Sequence, residues 1–218
     1  MHPYPAFDKA SQDQSIAFAR TRGFGQLSVN GGFGPLAAHV PFVLDDDGKA
    51  AYLHLARANP ILAALDQPLP ALLAVTGPDA EVSPDWYEMP DQVPTWNYVA
   101  VHLRGALERL PDAELPEVLD RVSAAFEDRL APKPPWRASK MDPDKRMRMM
   151  RAIVPVRLNV EVVNGTWKLG QNKPDPARLS AADALPGGIG QEREALAELM
   201  RNFTRAGQDN VDIPPASP

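Results

Sequence analysis

The segment Arg57-Ala58-Asn59-Pro60-Ile61-Leu62 has the residue types of a ligand grip. Asn59 is a favoured N-cap and Pro60 suits the first helical position, so a helix is expected to begin here directly after a strand. A helix start leaves backbone N–H groups unpaired and carries the positive end of the dipole, and Arg57 adds a permanent cation just before it. Together they suit a phosphate group; a well-capped surface helix beside a solvated arginine would use the same residues. A second group is Trp167-Lys168-Leu169-Gly170-Gln171-Asn172-Lys173. Strand alternation sends Lys168 one way and Trp167 and Leu169 the other, and the Gln171 and Asn172 amides offer both donors and acceptors to the polar edge of a ring. An edge strand ending in a polar turn accounts for the same pattern. The third is Ser83-Pro84-Asp85-Trp86-Tyr87 with Pro94-Thr95-Trp96-Asn97-Tyr98, whose aromatic faces could stack on a planar ligand or plug a barrel end or a subunit interface.

Other signals fail on inspection. Gly32-Phe33-Gly34-Pro35-Leu36-Ala37 fits a GxGxxA pattern, but Pro35 interrupts it and a strand follows where a dinucleotide site needs a helix. His2, His39, His54 and His102 lack close metal-ligand spacing, so no metal site is expected. The chain has no cysteine, which excludes disulfides and thiolate chemistry. Net charge is −5 and argues against direct DNA binding. Arg137, Lys140, Lys145, Arg146, Arg148 and Arg151 are diluted by Asp142 and Asp144 and read as a solvated helix face.

The elements that would position these residues are mostly strands. Gln26–Val29 reads as a short strand, then Leu36, Ala38, Val40, Phe42 and Leu44 alternate along one face of the next, and Ala51–Ala56 completes a three-stranded meander. Further strands are expected at Ala71–Thr76, at Asn97–Arg109, and through Val156, Leu158, Val160 and Val162. Helices are expected at Gln12–Arg20 and from Pro116, the latter with an apolar side formed by Leu115, Val118, Leu119, Val122, Phe126 and Leu130. About six antiparallel strands with peripheral helices suggest a mainly β (α+β) barrel. Such a barrel fills its own interior, which puts a ligand outside it or between two copies.

Ser180 and Asp183 are spaced like a capping box, and Leu196, Leu199, Met200 and Phe203 form a helical stripe expected to dock on the main body. The expected organisation is a barrel domain over 1–180, a helical appendage over 181–205 and a disordered tail over 206–218. No signal-peptide pattern and no membrane-spanning apolar run is present, so the cytoplasm is the expected location.

At this point the motifs taken together resemble the PaiB family of FMN-binding negative transcriptional regulators. The matching segments are Ala38-His39-Val40-Pro41-Phe42, Arg57-Ala58-Asn59-Pro60, Gly77-Pro78, Ser83-Pro84-Asp85-Trp86-Tyr87, Val93-Pro94-Thr95-Trp96-Asn97-Tyr98, Val101-His102 and Trp167-Lys168-Leu169-Gly170-Gln171-Asn172, in the family's order. The resemblance implies an FMN-binding split β-barrel and a homodimer with ligand sites at the subunit interface. It implies a small planar phosphorylated ligand, held at its phosphate by Arg57 and Asn59, with Trp96, Asn97, Trp167, Lys168 and Gln171 near the flavin ring. The function implied is a flavin-dependent oxidoreductase or transcriptional regulator. Asp79 and Glu81 stand where the family has His and Tyr, and two carboxylates near an anionic cofactor would repel it. The alternative is therefore a non-enzymatic binding module with weak or lost flavin affinity.

Overall fold

Strand formation follows the two-residue alternation of apolar side chains. The computed structural model describes residues 2–7 and 10–203, and the expected tail at 206–218 lies outside them. In β1 (Phe24–Gly31), Gly25, Leu27 and Val29 are buried while Phe24, Gln26 and Asn30 are exposed. The chain reverses and returns as β2 (Gly34–Pro41), with Phe24 opposite Pro41 and Gly31 opposite Gly34. The alternation from Leu36 to Leu44 predicted one strand, but there are two. Phe42 leaves the ladder before β3 (Val43–Leu44), and its N–H bonds to the Gly23 carbonyl at 2.8 Å.

The remaining strands are β4 (Ala50–Ala56), β5 (Leu69–Val82), β6 (Thr95–Arg109), β7 (Ile153–Lys168) and β8 (Gly190–Gln191). The sheet order is β2-β1-β5-β6-β7-β4-β3, with β8 paired to β5. The fold is mainly β with peripheral helices, as expected, with eight strands among the described residues rather than about six. The two additional strands, β3 and β8, have two residues each, too few to display a period. The expected meander forms only in part: β2 pairs with β1 and β3 pairs with β4, but the break at Phe42 separates the two hairpins. β4 pairs antiparallel with β3 and β7, Leu53 facing Val156, because a turn signal identifies where the chain reverses but not which sheet edge a later strand joins.

The helices are α1 (Gln12–Arg22), α2 (Pro60–Ala63), α3 (Leu115–Glu127), α4 (Pro143–Met150), α5 (Asp175–Ala184) and α6 (Arg193–Asn202). In α3, Leu115, Val118 and Val122 are buried. Leu130 falls past the helix end and is exposed, so it does not extend the apolar side. The Ser180–Asp183 capping box is also absent. Both residues lie inside α5, where the Ser180 hydroxyl donates to Glu88 at 3.2 Å and Asp183 accepts from Arg201 at 2.9 Å. Leu196, Leu199 and Met200 are buried on α6, which packs on α5.

By mutual packing the described residues divide into two units, one formed by 2–7, 10–22, 75–102 and 163–203, the other by 23–74 and 103–162. Phe18, Val99, Trp167 and Leu196 are core residues of the first; Leu27, Leu53, Leu103 and Leu158 are core residues of the second.

The second unit also holds a partly buried polar network. Glu108 accepts from Asn159 Nδ2 at 2.5 Å and from Arg157 Nη2 at 2.7 Å and Nε at 3.0 Å. The Asn159 hydrogen bond first, then the Arg157 contacts, hold the Glu108 carboxyl below its ordinary range. A depressed carboxyl pKa stabilises the fold above the unfolded value of about 4.3, and that stability is lost as pH falls through the folded value. Glu108→Gln is therefore expected to destabilise the protein at pH 7 and to flatten its loss of stability below about pH 4. Urea midpoints at pH 7 and pH 3 check this; parallel pH profiles for variant and wild type would refute it.

Candidate functional site

In the first unit, β7 ends at Lys168 and the chain turns through Gly170, whose φ of +75° suits a residue without Cβ. Gln171 closes the turn. Its Oε1 accepts from Leu169 N–H at 2.7 Å and its Nε2 donates to the Trp167 carbonyl. The amide expected to read a ring edge is thus folded onto its own backbone.

Lys168 is half-buried. Its ammonium donates to the Thr95 hydroxyl at the start of β6 and lies 5.8 Å from the centre of the Phe7 ring. Burial, then the neighbouring Lys173 charge, pushes its pKa below the usual lysine range. Among the described residues no carboxylate pairs with Lys168. Lys173 donates to Gln92 and sits 5.3 Å from the centre of the Tyr87 ring.

Asn97 and Trp167 lie deeper. Asn97 is buried, with Nδ2 3.5 Å from Met200 Sδ, and also bonds Tyr87, whose hydroxyl pKa is raised by burial. Trp167 is buried edge-on against Phe18 at 5.4 Å, and its Nε1 has no partner among the described residues. Trp96 is 45% exposed, on the face of β6 opposite Thr95 and Asn97. The unit therefore brings Lys168 and Gln171 together with Thr95 and backs them with Trp167. Thr95 and Lys173 lie within the sequence motifs without a residue type or spacing that marks Thr95 as functional. Two lysines five residues apart around a glycine turn were the available signal for Lys173.

The second unit holds Arg57 and Asn59. Asn59 caps as expected, Oδ1 accepting from Ile61 N–H at 3.0 Å, but α2 is a single turn of four residues, so little dipole stands behind it. Arg57 Nε donates to the Arg151 carbonyl at 2.8 Å; Nη2 donates to the Ile153 carbonyl at 3.2 Å and to Asp112 at 3.4 Å. Arg109 and, less strongly, Arg57 hold the Asp112 carboxyl below its ordinary range. Nη1 is the part of the guanidinium without a bond among the described residues, and Arg57 lines a cleft of about 440 Å³ together with Asp112, Met147 and Met150. The donor set suits one anionic group, offset by Asp112.

Asp79 has a structural task within the first unit. Its Oδ1 accepts from Gln191 N–H at 3.1 Å, which ties β8 to β5. Glu81 contributes its backbone N–H to the Ile189 carbonyl at 3.0 Å.

A family model described as "Putative FMN-binding domain" matches residues 1–162. Protease synthase and sporulation protein PAI 2 of Bacillus subtilis (strain 168) is 27% identical over 201 residues, covering 91% of this chain and 96% of that protein. Two solved structures are similar in fold. The FAD and heme binding protein from Mycobacterium smegmatis aligns with a TM-score of 0.54 at 20% identity, over 84% of this chain and 80% of that one. The flavocytochrome Anf3 from Azotobacter vinelandii aligns with a TM-score of 0.56 at 17% identity, over 77% and 72%. The fold class is the split-barrel type expected from the sequence.

Proposed function

Because the chain belongs to the FMN-binding domain family, we propose that it binds FMN and that Lys168 meets the electron-rich polar edge of the flavin ring. The observation that carries this reading is the half-buried Lys168 ammonium, which has one hydroxyl partner and no carboxylate among the described residues. A partly desolvated cation without a counter-ion is costly alone and gains from an anionic or polarisable ligand. The residues fit the cofactor at the polar edge of its ring, where Lys168 supplies donors beside Thr95; Trp96 is exposed on the other face of β6 and is outside this cluster. Arg57, taken by itself in the second unit, is a candidate contact for a phosphate group; Asn97, Trp167 and Gln171 shape the turn and core of the first unit, and Asn59 caps α2 in the second.

When bound, the flavin carries electron or hydride transfer, and the protein's part is binding, orientation and electrostatics. The proposed activity is accordingly that of an oxidoreductase, working as a cytoplasmic homodimer. A regulatory reading is favoured by the resemblance to the PaiB regulators; a net charge of −5 directs such action through a partner or metabolite rather than through DNA phosphates.

Titration of FMN and riboflavin into the full chain, followed by flavin fluorescence, tests the proposal. Saturable binding is expected for both, tighter for FMN; no binding of either would end the cofactor reading. Arg57→Ala is expected to weaken FMN about tenfold and leave riboflavin unchanged, since only FMN carries the phosphate. An unaltered preference for FMN would remove Arg57 from the phosphate site.

A further inference from the structure

We infer that a groove in the second unit is the seat for Phe33 of a second copy of this chain. The inference rests on the homodimer reading above and names its interface. The groove encloses about 690 Å³ and has apolar walls from Pro35, Leu72, Ala106 and Val162. Val162 is 47% exposed, although the alternation of β7 places it with the buried Val156 and Leu158. An apolar wall open to water marks a surface that is covered in use.

The occupant is indicated by the hairpin beside it. Phe33 sits at the tip of Gly31-Gly32-Phe33-Gly34 and is 110% exposed, touching nothing that would shield its ring. Its own chain holds it out. The pairing of Gly31 with Gly34 fixes the tip beyond the ends of β1 and β2, while Asn30 and Pro35, one residue inside that pair, line the groove. Each copy therefore presents an apolar knob next to an apolar recess, and a two-fold axis lets the two copies exchange knobs.

The charges on the groove are self-complementary in the same sense. Arg104 and Glu161 both line it, both are exposed, and neither has an ion-pair partner among the described residues. A two-fold axis brings one cation and one anion from each copy to face their opposites. A partner of single charge would satisfy only one of them.

Sedimentation equilibrium of the full chain over a concentration series tests this. The wild type is expected to be dimeric, and Phe33→Ala to raise the dimer dissociation constant at least about tenfold, as for an aromatic anchor in a pocket. Phe33 is fully exposed in the single chain, so the substitution leaves the fold of each copy intact. Arg104→Glu is expected to weaken the dimer, and the double variant R104E/E161R to recover it. A wild type that stays monomeric throughout would overturn the homodimer reading itself. A wild-type dimer whose affinity survives both Phe33→Ala and Arg104→Glu would overturn only the groove, and failure of the double variant to recover would overturn the charge pairing.

Discussion

Lys168→Met is expected to weaken FMN and riboflavin equally, on the order of 10- to 100-fold, by removing one charged hydrogen bond to the ring. The equal loss is the diagnostic part, because the ring is common to both ligands while the phosphate is not. Methionine keeps the unbranched shape against Phe7 and removes only the charge, whose one neutral partner is the Thr95 hydroxyl. Lys168→Arg keeps a cation and is expected to retain more affinity than Lys168→Met. Removing a positive charge beside the ring also disfavours the reduced, more negative flavin, so the reduction potential of bound FMN should move to more negative values. Binding of both flavins with wild-type affinity and potential would take Lys168 out of the site. A loss confined to FMN would reassign Lys168 to the phosphate.

Gly105→Ala should be the most damaging conservative change in the second unit. A Cβ at Gly105 would lie 1.8 Å from the Asn159 carbonyl oxygen, 2.9 Å from its carbon and 3.1 Å from Glu161 N. All three atoms are backbone of β7, so no side-chain rotation relieves the overlap and the strands must separate. The same stretch of β7 holds Asn159, a partner of Glu108, so the separation also strains that polar network. The expected loss is about 3 kcal/mol, the upper end for overpacking. Urea unfolding should show a lower midpoint with an unchanged slope. Gly32→Ala is the control: a Cβ there meets nothing within 4 Å, and the variant should unfold like the wild type. If Gly105→Ala also unfolded like the wild type, the close approach of these two strands would be refuted.

The two candidate clusters differ in how far the sequence revealed them. The Arg57-Ala58-Asn59-Pro60 segment announced its cap correctly, since capping depends on residues two positions apart. It could not announce that α2 ends after one turn, or that the Arg57 guanidinium would bond the carbonyls of Arg151 and Ile153, which lie far along the chain. For Gln171 the sequence supplied an amide with donors and acceptors, but only the closed turn shows both ends of that amide engaged by Leu169 and Trp167.

What the sequence determined by itself is the set of local choices. The alternation in β1, β6 and β7, the apolar side of α3 and the stripe on α6 each depend on side chains a few residues apart, so their period is written in the order of residues. The tertiary structure decided which strand edges meet, placing β7 on the other edge of β4 from β3 and absorbing Ser180 into α5. It also decided the surroundings of Lys168, whose hydroxyl partner lies 73 positions away. Such pairings are settled by burial and backbone hydrogen bonding summed over distant segments, a balance that no window of neighbouring residues contains.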